Sequence, residues 1–172
     1  AGERMRALRA AVIGVGYLGN FHAQKYSQLD GVELVAVADT DAARGAEVAA
    51  KYATRSVTDY RDILSDVDLV SIVVPPARHF ALAQDCLAAG VHALVEKPLT
   101  ATVAEAEILI QSAASRGLVL QVGHLERFNP VVRALRERVD TPRLIEAQRF
   151  AAYKKRGTEV DVVLDLMIHD ID

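Results

Sequence analysis

The chain has 172 residues, 51% of them hydrophobic and 25% charged, with a net charge of −3 at pH 7. That balance suits a globular protein with a sizeable core and excludes a chain that is disordered throughout. It supplies no overall positive field for nucleic acid, although "YKKRG" at 153–157 is locally basic.

No apolar run approaches the roughly 20 residues that cross a bilayer. The opening "AGERMRALRAAVIGVG" has too short a basic segment and no cleavage site before its first apolar run. A cytoplasmic protein with no membrane and no nucleic-acid partner is expected. The single Cys86 cannot form an internal disulfide and reads as a small buried apolar side chain rather than a reactive thiol.

In chain order, short β-branched runs alternate with Ala-rich stretches, the signature of βαβ units. "LRAAVIGVG" is the first strand, "YLGNFHAQKYSQL" a helix, "VELVAVAD" the second strand and "DAARGAEVAAKYA" a helix. "VDLVSIVVP" is nearly all apolar, as expected of a strand covered by helices on both faces of a parallel sheet. "RHFALAQDCLAAG" is its helix, and "VHALVEK" the strand after that. In "TATVAEAEILIQSAASRG", Thr102 and Glu105 have capping-box spacing and Gly117 suits a left-handed stop.

"LVLQVGH" supplies the sixth strand, and Asn129 with Pro130 suits the N-cap and first position of the helix "VVRALRERV". The fold expected is α/β, a doubly wound parallel Rossmann sheet over 1–125. Residues 126–172 are expected to be a connecting helix, then the strand "LIEAQRFAAYKK" and the helix "DVVLDLMIHDID" of an α+β domain with an open sheet. A lone strand and helix cannot close a second core, so the chain reads as the front part of a longer protein.

Three places carry chemistry. "GVGYLG" sets Gly14, Gly16 and Gly19 between a strand and a helix, the arrangement that lets backbone approach a pyrophosphate at a helix N-terminus. Asp39 ends the second strand, where a carboxylate accepts from ribose hydroxyls and repels a 2′-phosphate, favouring NAD over NADP.

The second place is the end of two later strands, at "IVVPPARH" and "LVEKPLT". The two prolines release the chain at the sheet edge where such folds bind ligands. His79 could equally be an ordinary helix-start residue. Lys97 would project over the same edge as a proton carrier or donor, yet a lysine before a turn is also ordinary surface.

The third is "DVVLDLMIHDID", where Asp165, His169 and Asp172 share one helical face with Asp161 a turn earlier. Such a stripe is either a solvated face or an active-site wall in which His169 abstracts protons near neutral pH. No second His or Cys cluster completes a metal site, so none is expected.

Taken together, "GVGYLG", Asp39, "VEKP" and the Asp-xxx-His-xx-Asp stretch resemble the Gfo/Idh/MocA family of NAD(P)-dependent sugar oxidoreductases. The resemblance implies that Lys97 bonds the reacting hydroxyl, that His169 transfers its proton and that Asp165 positions substrate or histidine, with the base left open between Lys97 and His169.

It implies a cofactor set of Gly14, Gly16, Tyr17, Leu18 and Gly19, then Asp39 and Thr40, then Val74, Pro75 and His79, and finally Glu96, Lys97 and Gln121. Substrate would meet Lys97, His124, Arg127, Asn129, Tyr153, Asp165 and His169. "GHLERFNP" and "TEVDVVLDLMIHDID" further resemble the subgroup acting on nucleotide-activated amino sugars, UDP-N-acetylglucosamine 3-dehydrogenase-type members included. Lys154, Lys155 and Arg156 could meet the diphosphate or form a solvated loop. The complete protein is expected to form homo-oligomers, a dimer or tetramer, and these 172 residues alone to be poor catalysts with exposed apolar surface.

Overall fold

A computed structural model describes residues 6–146, 148 and 162–171, with the backbone alone at 165 and 170. The chain divides into two compact units, Ala1–Val122 and Gly123–Asp172.

The first unit is built on six parallel strands: β1 (Leu8–Ile13), β2 (Val32–Ala38), β3 (Arg55–Val57), β4 (Leu69–Ile72), β5 (His92–Val95) and β6 (Leu120–Val122). Their order, β3-β2-β1-β4-β5-β6, reverses between β1 and β4. The C-terminal edge there is the place where doubly wound sheets bind ligands.

Four helices supply the crossovers: α1 (Tyr17–Tyr26), α2 (Ala42–Lys51), α3 (His79–Ala88) and α4 (Val103–Arg116). Alternation along β1 sorts the two faces. Val12 packs with Ala23 of α1 and Val48 and Ala49 of α2. Ala11 and Ile13 pack with Leu82, Ala83, Cys86 and Leu87 of α3 and Leu109 and Ala113 of α4. Fully buried strands of this kind need no polar face, which is why β4 reads as an apolar run.

Local signals set the ends of these helices. Thr102 and Glu105 form the expected capping box, and Gly117 ends α4 at φ 65. Asp41 caps α2 by accepting from Arg44 N–H at 3.1 Å. Cys86 is fully buried, and burial pushes its thiol up to about 12, so it is the structural residue expected.

β3 is the one strand for which no stretch was named from sequence. It is three residues long, Arg-Ser-Val, and pairs only with β2, so it carries neither alternation nor an apolar run.

The second unit holds a 3-10 turn, Leu125–Phe128, helix α5 (Pro130–Arg136), a π turn at Val163–Met167 and helix α6 (Ile168–Ile171). Asn129 caps α5 by accepting from Val131 N–H at 3.0 Å, with Pro130 behind it, as its sequence indicates. Most of the expected strand over 144–155 lies outside the described residues; 144–146 and 148 are irregular.

The π turn alters the expected helix over 161–172. Its bonding runs one residue wider than an α-helix, so the 3.6-residue spacing used to align 165, 169 and 172 does not hold strictly across it. Phe128, Val131 and Leu135 are exposed. Among the described residues no helix is long and apolar enough to cross a membrane.

Candidate active site

The site starts at the turn that follows β1. Gly14 has φ +86, and a Cβ there would run into the Val73 carbonyl of the neighbouring strand end. A Cβ on Gly19 would run into the Gly14 carbonyl, so this glycine lets α1 close onto the turn. Around Gly16 the space is open.

Gly16 is also the N-cap of α1, and as a glycine it brings no side chain to cap the helix's first N–H groups. That is the provision an anion needs: backbone donors at a positive helix end and no Cβ in the way. Tyr17 and Leu18 open α1 with exposed side chains.

Asp39 stands at the end of β2 with its side chain almost wholly covered. Its Oδ2 accepts from Val15 N–H at 2.9 Å and its Oδ1 from Asp41 N–H at 2.9 Å. Arg44 approaches the same Oδ1 at 3.7 Å and Asp41 at 3.2 Å. The carboxylate thus ties the glycine turn to the end of β2, and it keeps lone pairs for a further donor.

Gly14, Gly16, Asp39, Thr40, Val74 and Pro75 line a cavity of about 310 Å³ at this edge, within the size range of ligand pockets. Sequence reasoning missed four of its other walls, Thr58, Tyr60, Arg78 and Leu82. Tyr60 could not be found locally. Its hydroxyl bonds Asp85 at 2.6 Å, across 25 positions, and burial with that contact pushes the phenol up to about 12.

One strand further along, the chain bends at Lys97, whose side chain is half-buried, and the Lys97–Pro98 peptide is cis. Glu96 is buried; its Oε2 accepts from Lys97 N–H at 3.3 Å and its Oε1 lies 3.2 Å from His22 Nε2. His22 Nδ1 is 3.0 Å from Ser71 Oγ, which is 2.7 Å from the Tyr26 hydroxyl.

His79 is 1% exposed, with Nδ1 at 2.7 Å from the Pro98 carbonyl and Nε2 at 2.8 Å from the Val74 carbonyl. It is buried with both ring nitrogens facing backbone carbonyls, and it is not among the residues lining the cavity, where a direct cofactor contact was expected. The only hint of His22 in the sequence is one polar residue, Ser71, inside an apolar strand; its partners are 45 and 49 positions away.

Gln121 is exposed on edge strand β6, opposite Leu94. In the second unit His124 is half-buried and Arg127 exposed. Asn129 is spent locally, its amide donating to Glu126 Oε2 at 2.9 Å while its oxygen caps α5. His169 is half-buried in α6. Tyr153, Lys154, Lys155, Arg156, Asp161, Asp172 and the Asp165 side chain lie outside what is described.

A glycine turn at the switch point of a parallel sheet, a helix opened by a glycine N-cap and a strand-terminal carboxylate define a dinucleotide-binding Rossmann protein. The oxidoreductase family with an NAD-binding Rossmann fold, GFO_IDH_MocA, matches residues 8–124. The chain belongs to that family.

It is 47% identical over 166 residues to UDP-N-acetylglucosamine 3-dehydrogenase of Acidithiobacillus ferrooxidans, covering 96% of this chain and 52% of that protein. A solved structure of the Acidithiobacillus enzyme superposes with a TM-score of 0.90 over 95% of this chain and 54% of its own. Scyllo-inositol dehydrogenase of Lactobacillus casei, solved with NAD(H) and scyllo-inositol bound, gives 0.74 at 26% identity over 78% of this chain and 41% of its own. The chain spans about half the length of these relatives.

Proposed function

We propose that this chain carries the cofactor site and the reacting lysine of an NAD-dependent oxidoreductase that oxidises a secondary hydroxyl of a sugar. The substrate is a nucleotide-activated amino sugar of the UDP-N-acetylglucosamine type, oxidised at C3. One observation carries the reading: Gly16, Asp39 and the Lys97 bend stand on the same C-terminal edge of one sheet. The 47% identity to the 3-dehydrogenase supports the substrate.

Gly14, Gly16 and Gly19 hold a pyrophosphate on the α1 N-terminus, and Asp39 takes ribose hydroxyls, which favours NAD over NADP. Thr40, Val74 and Pro75 wall the adenosine side. When bound, the nicotinamide supplies the two-electron redox chemistry. Lys97 donates a hydrogen bond to the reacting hydroxyl. His169, with Asp165, takes the proton from that oxygen, and the two exchange roles if Lys97 is the base. Charge-assisted bonds from Lys154, Lys155 and Arg156 suit a diphosphate. The protein works in the cytoplasm as a homo-oligomer.

The test is NADH formation with NAD against UDP-linked amino sugars, free sugars and inositols, repeated with NADP. Lys97→Ala and His169→Ala are expected to lose turnover by about 100-fold or more, the order of a general acid–base contribution, while NADH still binds. Unchanged turnover in both variants would remove these roles. Oxidation of inositols with no action on UDP-sugars would favour the polyol reading that the Lactobacillus neighbour supports.

A further inference from the structure

The backbone on either side of Lys97 is held by a histidine, His22 partly buried on one side and His79 buried on the other. Before it stands Glu96, 7% exposed, a carboxylate that must find donors inside the protein. Its Oε1 meets His22 Nε2 at 3.2 Å and its Oε2 takes Lys97 N–H at 3.3 Å. A carboxylate only accepts, so His22 carries a proton on Nε2, and in the neutral ring Nδ1 accepts from Ser71 at 3.0 Å.

Ser71 in turn accepts from the Tyr26 hydroxyl at 2.7 Å. Burial raises the Tyr26 phenol above its ordinary value, against the pull of the Ser71 bond, so the phenol keeps the proton it donates. Tyr26 donates to Ser71, Ser71 to His22 and His22 to Glu96, whose other oxygen accepts from the peptide N–H of Lys97.

After Lys97 comes the Pro98 carbonyl, 2.7 Å from His79 Nδ1, while the same ring lies 2.8 Å from the Val74 carbonyl in the cavity wall. His22 belongs to α1 and His79 to α3, which cover opposite faces of the sheet.

We propose that His22 and His79 are positioning residues that brace the Lys97 bend from opposite faces of the sheet, His22 through Glu96 and His79 through Pro98. The proposal rests on the role given to Lys97 above. A lysine is a point charge on a flexible four-carbon stem, so the placement of its backbone sets the region its ammonium can reach. A displacement of about 1 Å at a reacting group can cost on the order of 100-fold in rate.

The experiment measures, in the full chain, hydrogen exchange at the Lys97 amide and turnover of a UDP-amino sugar, for His22→Ala and His79→Ala. Exchange at Lys97 is expected to rise about tenfold or more, the factor for loss of one net hydrogen bond, while the core amide of Val12 stays slow. In His22→Ala, kcat is expected to fall by about tenfold or more, with KM and NADH affinity within about twofold.

Each histidine has a partial replacement. His22→Gln keeps a donor at the position of Nε2 and His79→Asn one at the position of Nδ1; both are expected to return Lys97 exchange toward the wild-type rate, and His22→Gln to recover most of kcat. A role in stability alone would move the melting temperature and leave kcat per folded molecule unchanged.

Unaltered Lys97 exchange in both alanine variants, or replacements no better than alanine, overturns the proposal. Should the alanine variants not fold, Glu96→Gln, which keeps the volume and removes one acceptor, is expected to show the same Lys97 exchange and decides in their place. If the wild type turns over no sugar, the proposed function fails, and Lys97 exchange still decides whether the histidines brace the bend.

Discussion

Replacing Asp39 with asparagine separates two tasks that one carboxylate performs. Its oxygens accept from Val15 N–H and Asp41 N–H, both at 2.9 Å, and the side chain is 8% exposed. Asparagine keeps one acceptor oxygen and turns an NH₂ toward the other N–H, so one buried donor loses its partner.

Hydrogen bonds to a charged group contribute about 1.5–3 kcal/mol, and leaving a buried donor unpaired costs a similar amount, so a loss of about 2 kcal/mol is expected. With a urea slope of about 2 kcal/mol per M, the unfolding midpoint should fall by about 1 M. The charge that accepts from ribose and repels a 2′-phosphate disappears too. NADH affinity should fall about tenfold, while NADPH affinity falls less or rises.

Circular dichroism in urea reads the first effect and fluorescence titration of the two reduced cofactors the second. An unchanged midpoint would show that the Val15 and Asp41 bonds contribute nothing net. An equal loss for both cofactors would refute the charge argument for NAD.

Asp68 should make the first unit acid-sensitive. Bonds from Arg9 N–H, then from the Arg6 and Arg9 guanidiniums, hold its carboxyl down at about 2 from 3.8. A depressed folded value means the stabilisation is complete above the unfolded pKa and is lost as pH falls from about 4 toward 2. Because Arg6 is exposed and its field screened, the loss should be about 1 kcal/mol, and Asp68→Asn should flatten the urea midpoint against pH in that window. Thr102→Ala removes the side-chain half of the α4 capping box, the acceptor for Glu105 N–H, and should cost about 1 kcal/mol by urea titration, with NADH affinity unchanged. Cys86, buried and with its thiol pushed up to about 12, should resist alkylation in the folded chain and react only after unfolding, as mass spectrometry of timed quenches would show.

What the sequence made legible is what neighbours in sequence decide. The glycine turn, the capping box of α4, the Gly117 stop and the Asn129–Pro130 start each depend on residues within a few positions, and all four are present. Asp39 was legible because a strand end and an acid coincide. Its bond to Val15, 24 positions away, was not, since only the parallel pairing of β1 with β2 brings the two together.

Glu96 shows the same limit in the site itself. From sequence it is one more charge beside Lys97, and a charge next to a turn belongs in water. Pairing β4 to β5 brings Ile72 alongside Val95 and so places Ser71 and the buried Glu96 under α1. His22 then reaches both, 74 positions from one and 49 from the other. A buried carboxylate persists only with such donors, so the polar Ser71 inside "VDLVSIVVP" and the acid before Lys97 are two ends of one requirement. Each looks like an exception to its own local pattern, and the sheet register is what makes them partners.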